Sequence, residues 1–269
     1  EGKLNWDKQL VEIIQKLDGV KSTEELSALY SDWIDSLGLV PPCSSCEPSK
    51  DKEYFDRNLD LSWLESETFS PALVEKLNYL RQNRTGRQFY VSLDGATTYF
   101  DHEPVYQGSQ WNDENIRLVT LFKYWNVIEY FYPYKYVMDQ HWDQVLLEMI
   151  PRFQQVKSEG EYHVLLHELT VKLCDSHSFF VTDQVRAFAG TRYIAARFKI
   201  IGDKAVITEF YNDSLAKLDD LRKGDAVSKV DDVPVLEKFR QHEKYINGSN
   251  EAVKKMGYSF RWIFNGNTD

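Results

Sequence analysis

Up to about Cys174 the apolar side chains of this chain recur at helical spacing, and beyond Phe180 they alternate as strands do. Residues 5 to 37 predict two short amphipathic helices. The second opens at the capping box Ser22-x-x-Glu25 and closes at Gly38. Ser70-Pro71, a cap followed by proline at the first helical position, opens a further helix to about Gln82. Gln88 to Leu93 and Ala96 to Phe100 read as a β-hairpin, because Asp94-Gly95 supplies the positive φ that a tight turn needs.

From Asn112 the period is helical again. Leu118, Leu121, Phe122, Trp125, Ile128 and Tyr132 form one stripe, which Pro133 ends. Trp142, Val145, Leu146, Met149, Ile150 and Phe153 form the next, with Pro151 either kinking it or splitting it in two. The capping box Ser158-x-x-Glu161 opens a third helix to Cys174, with Tyr162, Leu166, Leu169 and Leu173 on its apolar side. Tyr193 to Ile201 and Lys204 to Phe210 then read as strands, and Asp231-Asp232 as a tight return between two more. Leu236 to Ile246 and Ser249 to Met256 read as helices, and Ser259 to Phe264 as a strand.

These elements predict an α+β multidomain chain: a mixed N-terminal region with a hairpin (1 to 110), a helical bundle (111 to 183) and a β-rich domain (184 to 269). The 269 residues exceed one ordinary domain, and 42% hydrophobic with 14% aromatic residues indicates folded units. A net charge of -10 lacks the basic face that nucleic acid or anionic lipid requires, so neither is an expected partner. No apolar run approaches the ~18 residues of a membrane span. Cys43-Ser44-Ser45-Cys46 follows Pro41-Pro42 rather than a strand-to-helix turn, which favours a structural disulfide over a redox pair or half a zinc site, with free thiols between them.

The stretch Leu173-Cys174-Asp175-Ser176-His177-Ser178-Phe179-Phe180 carries the most suggestive chemistry. It sets an imidazole between two hydroxyls just past a helix, where it serves either as a general base or as a helix-end cation suited to the dipole. Nothing downstream reads as the nucleophile such a base would activate. Two other constellations compete. His163, His167 and Cys174 share one side of the third helix, but the histidine pair lacks the interior glutamate of a zinc-peptidase motif; a solvated or partly buried face explains them, and no metal is expected. Tyr124, Trp125, Tyr130, Phe131, Tyr132, Tyr134 and Tyr136 read as core at helical spacing or, if exposed, as a carbohydrate or peptide platform.

The run Leu221-Arg222-Lys223-Gly224-Asp225-Ala226-Val227-Ser228-Lys229-Val230-Asp231-Asp232-Val233-Pro234-Val235 resembles the signature of bacterial PDZ domains, departing from it at Asp232, where glycine is usual. Asn212 to Ala216 stands where such domains have Gly-Ser-Pro-Ala, departing at Leu215. A helical unit ending in Asp175-Ser176-His177-Ser178 and followed by such a domain resembles the front part of the tricorn-core and C-terminal-processing peptidases, from about Asn112 onward. The resemblance implies His177 as general base, with Ser176 helping to orient it, and a serine nucleophile and carboxylate partner on an αβ domain beyond Asp269. It implies a peptide-binding loop and first strand at Gly190, Arg192, Tyr193 and Ile194, with Arg192 assisting an anionic terminus.

Such a chain would engage unfolded or extended polypeptide, use no cofactor, and lie in the periplasm or outside the cell, after signal removal or behind an anchoring N-terminus. Its PDZ-like part would lack a last strand. The alternative class is a non-catalytic peptide-binding or scaffolding protein built on the same domain.

Overall fold

The computed structural model describes residues 4–44, 46, 60–83, 89–95, 97–106, 111–192, 194–218 and 220–266. The fold is α+β, with helices joined by small antiparallel sheets. The chain forms two compact units, Glu1–Gly108 with Phe122–Tyr136, and Ser109–Leu121 with Val137–Asp269.

In the first unit, α1 (Trp6–Leu17) is capped by Asn5, α2 (Thr23–Ser36) by Ser22 and α3 (Pro71–Gln82) by Ser70, each side-chain oxygen accepting a backbone N–H of the first turn. A cap of this kind is worth about 1 kcal/mol. Glu25 reaches back past the N-cap to accept from the Lys21 amide at 2.7 Å. Helix pairing is polar as well as apolar: the Trp33 indole donates to Gln9 at 3.0 Å, and the Ser70 amide donates to Ser27 Oγ at 2.9 Å. Asp7 is buried, and its Oδ2 accepts from Tyr106 Oη at 2.8 Å and from Lys123 Nζ at 3.2 Å. Burial and this carboxylate push the Tyr106 hydroxyl up to about 12.

The hairpin pairs β1 (Val91–Asp94) with β2 (Thr97–Phe100), with Gly95 at φ 60° in the turn. Asp94 pairs with Thr97, so the turn begins one residue later than predicted. Gln88 and Ala96 lie outside the described residues. The two cysteines of the Pro-rich loop, Cys43 and Cys46, form a disulfide.

Helix α4 (Glu114–Phe131) begins in the second unit, where Leu118, Val119 and Leu121 are buried. There α5 (Trp142–Gln154) packs on α6 (Glu159–Val171), with the Phe153 and Tyr162 rings edge to face at 6.0 Å. Pro151 stays within α5. The carbonyl it leaves without an amide partner belongs to Leu147, an exposed residue. The buried Arg117 finishes the helix: its guanidinium donates to the carbonyls of Phe153 (2.6 Å) and Gln154 (2.8 Å), and also to that of Trp111 (2.6 Å). These carbonyls are among the last four that a helix cannot satisfy internally.

Helix α6 keeps its predicted apolar face and departs from the expectation at His167. Tyr162, Leu169 and Leu173 of the predicted stripe are buried, and His163 and Cys174 are partly buried as read, but His167 is enclosed, together with Glu168. Glu168 is held by a two-toothed Arg152 bridge, 2.7 Å on each oxygen, with Lys244 at 3.7 Å. The short α7 (Asp183–Ala189), capped by Thr182, packs against α6 and was not expected from the sequence.

Beyond it, β3 (Ala196–Ile201), β4 (Lys204–Phe210) and β5 (Ala226–Val227) form an antiparallel sheet in that order. The six-residue α8 (Asp213–Leu218) joins β4 to the turn before β5. In that turn the Leu-x-x-Gly-Asp run has a physical basis. Gly224 takes φ 93° and donates to the Ile207 carbonyl, while the Asp225 carboxylate accepts the Arg222 amide at 2.8 Å. β6 (Lys229–Val230) and β7 (Val233–Pro234) pair around Asp231 and Asp232, both at positive φ, as the tight return predicted.

Ala205, Val235, Phe239, Ile246, Tyr258 and Ile263 form the core beneath, supplied by β4, α9 (Val235–His242) and α10 (Glu251–Arg261). The strand expected at Ser259 to Phe264 is absent: α10 runs on to Arg261, because Tyr258 and Ile263 must both face the core while Phe260 stays exposed. Alternation of Phe260, Trp262 and Phe264 had suggested the strand.

The Tyr258 hydroxyl is enclosed without a hydrogen-bond partner among the described residues. An unpaired buried hydroxyl costs free energy that a phenyl ring does not. We therefore expect Tyr258→Phe to raise the unfolding free energy by about 1 kcal/mol in urea melts; an equal loss would mean the hydroxyl has a partner.

Candidate functional site

Helix α6 ends at Val171, and Cys174 turns the chain with φ 54°, the left-handed region that an L residue other than glycine rarely enters. Its half-buried thiol is pushed up in pKa by desolvation and lies 3.4 Å from Asp139. The turn sets Asp175 directly ahead of His177. Asp175 Oδ1 accepts the His177 amide at 2.9 Å and stands 3.4 Å from His177 Nδ1. The His177 side chain is 94% exposed, which leaves Nε2 open to solvent. Ser176 is exposed and, among the described residues, makes no hydrogen bond to the ring. The carboxylate at the ring is thus Asp175, two residues before the imidazole.

The segment after His177 is anchored inward. Ser178 Oγ donates to the Thr170 carbonyl at 3.3 Å, and the Asn247 side-chain amide donates to the Ser178 carbonyl. His167 lies buried beneath, with Nδ1 3.0 Å from the Phe180 carbonyl and Nε2 2.9 Å from that of Tyr245. Phe179 stays exposed between the two gripped carbonyls. Of the three residues weighed as zinc ligands, none presents a free donor set: His163 Nδ1 meets Thr182 Oγ1 at 3.1 Å, His167 has both nitrogens engaged, and Cys174 meets Asp139. Among the described residues no cluster of three His, Cys, Asp or Glu side chains is placed to hold a metal.

The expected peptide-binding loop is itself a fixed structure. Gly190, at φ 94°, ends α7 where a Cβ would meet Gly266 N at 2.8 Å and Asn265 Cβ at 2.9 Å. Arg192 donates its amide to the Gly266 carbonyl at 3.0 Å and accepts from the Gly266 amide at 3.1 Å. Its side chain is exposed and its amide is occupied within the chain. Ile194 is half-buried at the approach to β3, and Tyr193 lies outside the described residues. β3 has β4 on one side and no strand on the other among the described residues, which makes it an edge strand, with α10 packed against it.

The aromatic run at the end of α4 and just beyond it divides. Phe131, Tyr134 and Tyr136 are exposed, whereas Tyr124, Trp125, Tyr130 and Tyr132 are half-buried. Phe131 meets Phe100 edge to face at 5.3 Å.

Among the described residues, no helix is long and apolar enough to cross a membrane. In comparisons with known proteins, no family model and no curated protein matches the chain.

The crowding at Gly190 has a measurable consequence. Gly190→Ala should cost about 3 kcal/mol of stability and Gly202→Ala, at φ 63° in open space, about 1 kcal/mol. Equal shifts in melting temperature for the two variants would show that the 265–266 segment yields.

Proposed function

We propose that this chain is the front portion of a serine endopeptidase, supplying polypeptide binding and a histidine general base to a nucleophile carried on a further domain. The observation that carries the reading is the Asp175 carboxylate 3.4 Å from His177 Nδ1, beside an imidazole that is otherwise open. A serine hydroxyl is a poor nucleophile at neutral pH until an imidazole within hydrogen-bond reach accepts its proton. That imidazole must keep its basic nitrogen free and its other N–H held by an acceptor. Asp175 stands 3.4 Å from Nδ1, close enough to take its N–H, which would leave Nε2 as the base.

In this reading residues 184 to 269 are a PDZ-like domain. Its peptide would add to the edge strand β3, beside α10, with backbone hydrogen bonds giving affinity and side-chain pockets giving selection. Because Arg192 spends its amide on Gly266, its contribution to an anionic terminus would come from the guanidinium. The Cys43–Cys46 disulfide fits a periplasmic or secreted location, since such bonds persist in oxidising compartments.

The test is a comparison of two proteins. Residues 1 to 269 alone should not hydrolyse an unfolded protein substrate. A longer chain that includes the nucleophile domain should do so, and His177→Ala should lower its kcat by about three orders of magnitude or more. Full activity in that variant would end the base assignment. A gene with no αβ segment after Asp269, together with peptide binding, would favour the non-catalytic scaffold instead.

A further inference from the structure

We propose that the Cys43–Cys46 disulfide is a reversible redox site, opened and closed by exchange with a dithiol while the surrounding fold stays in place. A crosslink that serves structure joins segments far apart in sequence, because closing a long loop removes the most freedom from the unfolded chain. This one joins residues three apart, with their Cα atoms 5.4 Å from each other. Little of the fold's stability hangs on so short a loop. Both cysteines are half-buried and keep part of their surface in solvent, where a thiol can reach them.

The strap that carries Cys43 is fastened without the sulfur bond. The Tyr79 hydroxyl donates to the Val40 carbonyl at 2.9 Å, and the Cys43 amide donates to Asn83 Oδ1 at 2.9 Å. Asn83 is itself steadied, since its side-chain amide donates to the Tyr79 carbonyl at 2.8 Å. Between the two fastened points stand Pro41 and Pro42, whose rings fix φ. Residues 40 to 43 are thus a stiff rod held at both ends against the last turn of α3, and neither hold involves a sulfur atom. Opening the disulfide leaves Cys43 where it is, and Cys46, three residues on, stays close enough to close the bond again.

The exchange is a two-electron step. One thiolate of the dithiol attacks a cysteine sulfur, forming a mixed disulfide and expelling the other cysteine as a thiolate, which takes up a proton. The second thiolate of the dithiol then attacks the mixed bond, releasing the first cysteine and leaving the reductant as its own disulfide. The protein gains two electrons and two protons, and the dithiol loses them.

The experiment uses residues 1 to 269 and dithiothreitol as the dithiol, with no denaturant. After an acid quench, alkylation in urea and mass measurement should count one thiol before treatment, Cys174, and three after it. A bond that opens only when urea is present during the reduction would overturn the proposal. The reduced protein should keep its helical circular dichroism, and hydrogen exchange at Cys43 and at residues 79 to 83 should change by less than about twofold. Acceleration there of about tenfold or more would make the bond a structural crosslink and refute the redox role. Replacing the dithiol by its oxidised form should return the count to one thiol, and failure to reclose would refute reversibility. Asn83→Ala removes the hold on Cys43. In the reduced form of that variant the Cys43 amide should exchange about tenfold faster than in the reduced wild type, the loss expected for one hydrogen bond. An unchanged rate in the folded variant would show that Asn83 does not keep Cys43 in place, and should the variant not fold, the wild-type measurements decide alone.

Discussion

The second unit turns on α6 burying two polar side chains, His167 and Glu168, along with its apolar ones. A helix with one wet face can send its polar residues to water, but α6 buries His167 and Glu168 together with its leucines. Each enclosed polar group then has to find a partner within the protein, since an orphan costs more than a made bond returns. Glu168 draws in Arg152 from α5 and Lys244 from the turn past α9. His167 draws in two carbonyls separated by most of the β-rich part of the chain. The helix therefore acts as a hub whose polar obligations fix the neighbours' positions, while apolar contacts alone would fix only their proximity.

The electrostatics of that hub divide by exposure. The Arg152–Glu168 pair has one nearly enclosed partner, so breaking it would strand a charge in a poor solvent. Pairs such as Arg186–Asp183 and Arg222–Asp220 sit in water at both ends and contribute little. His177 belongs at the exposed extreme, its side chain 94% exposed. Its fixed neighbour Asp175 is held by the local turn, so the pair is formed before anything arrives.

Local chemistry was legible where it was local. Ser22, Ser70 and Ser158 cap the helices they were read to open, and Asp231-Asp232 turns between two short strands, because caps and tight turns are decided within four residues. Ser259 to Phe264 failed for the opposite reason: its alternation was real, but Tyr258 is claimed by Phe239 across the core, and that claim keeps the helix going. His167 was misjudged in the same way. Its spacing from His163 placed it away from the leucine stripe, and nothing in sequence revealed that Tyr245, far along the chain, covers that side. Asp175 was visible beside His177, yet whether its oxygen reached the ring depended on the left-handed turn at Cys174, which a cysteine gives no reason to expect.

The close approach of Gly190 to Asn265 and Gly266 reaches beyond stability. Any side chain at position 190 requires the backbone of 265–266 to retreat, and that retreat breaks the paired bonds with Arg192. These distant positions are therefore bound into one unit of change. In lineages descended from this chain, substitution at 190 should be tolerated only alongside a rebuilt 265–266 segment, leaving a correlated signature that neither position would carry by itself.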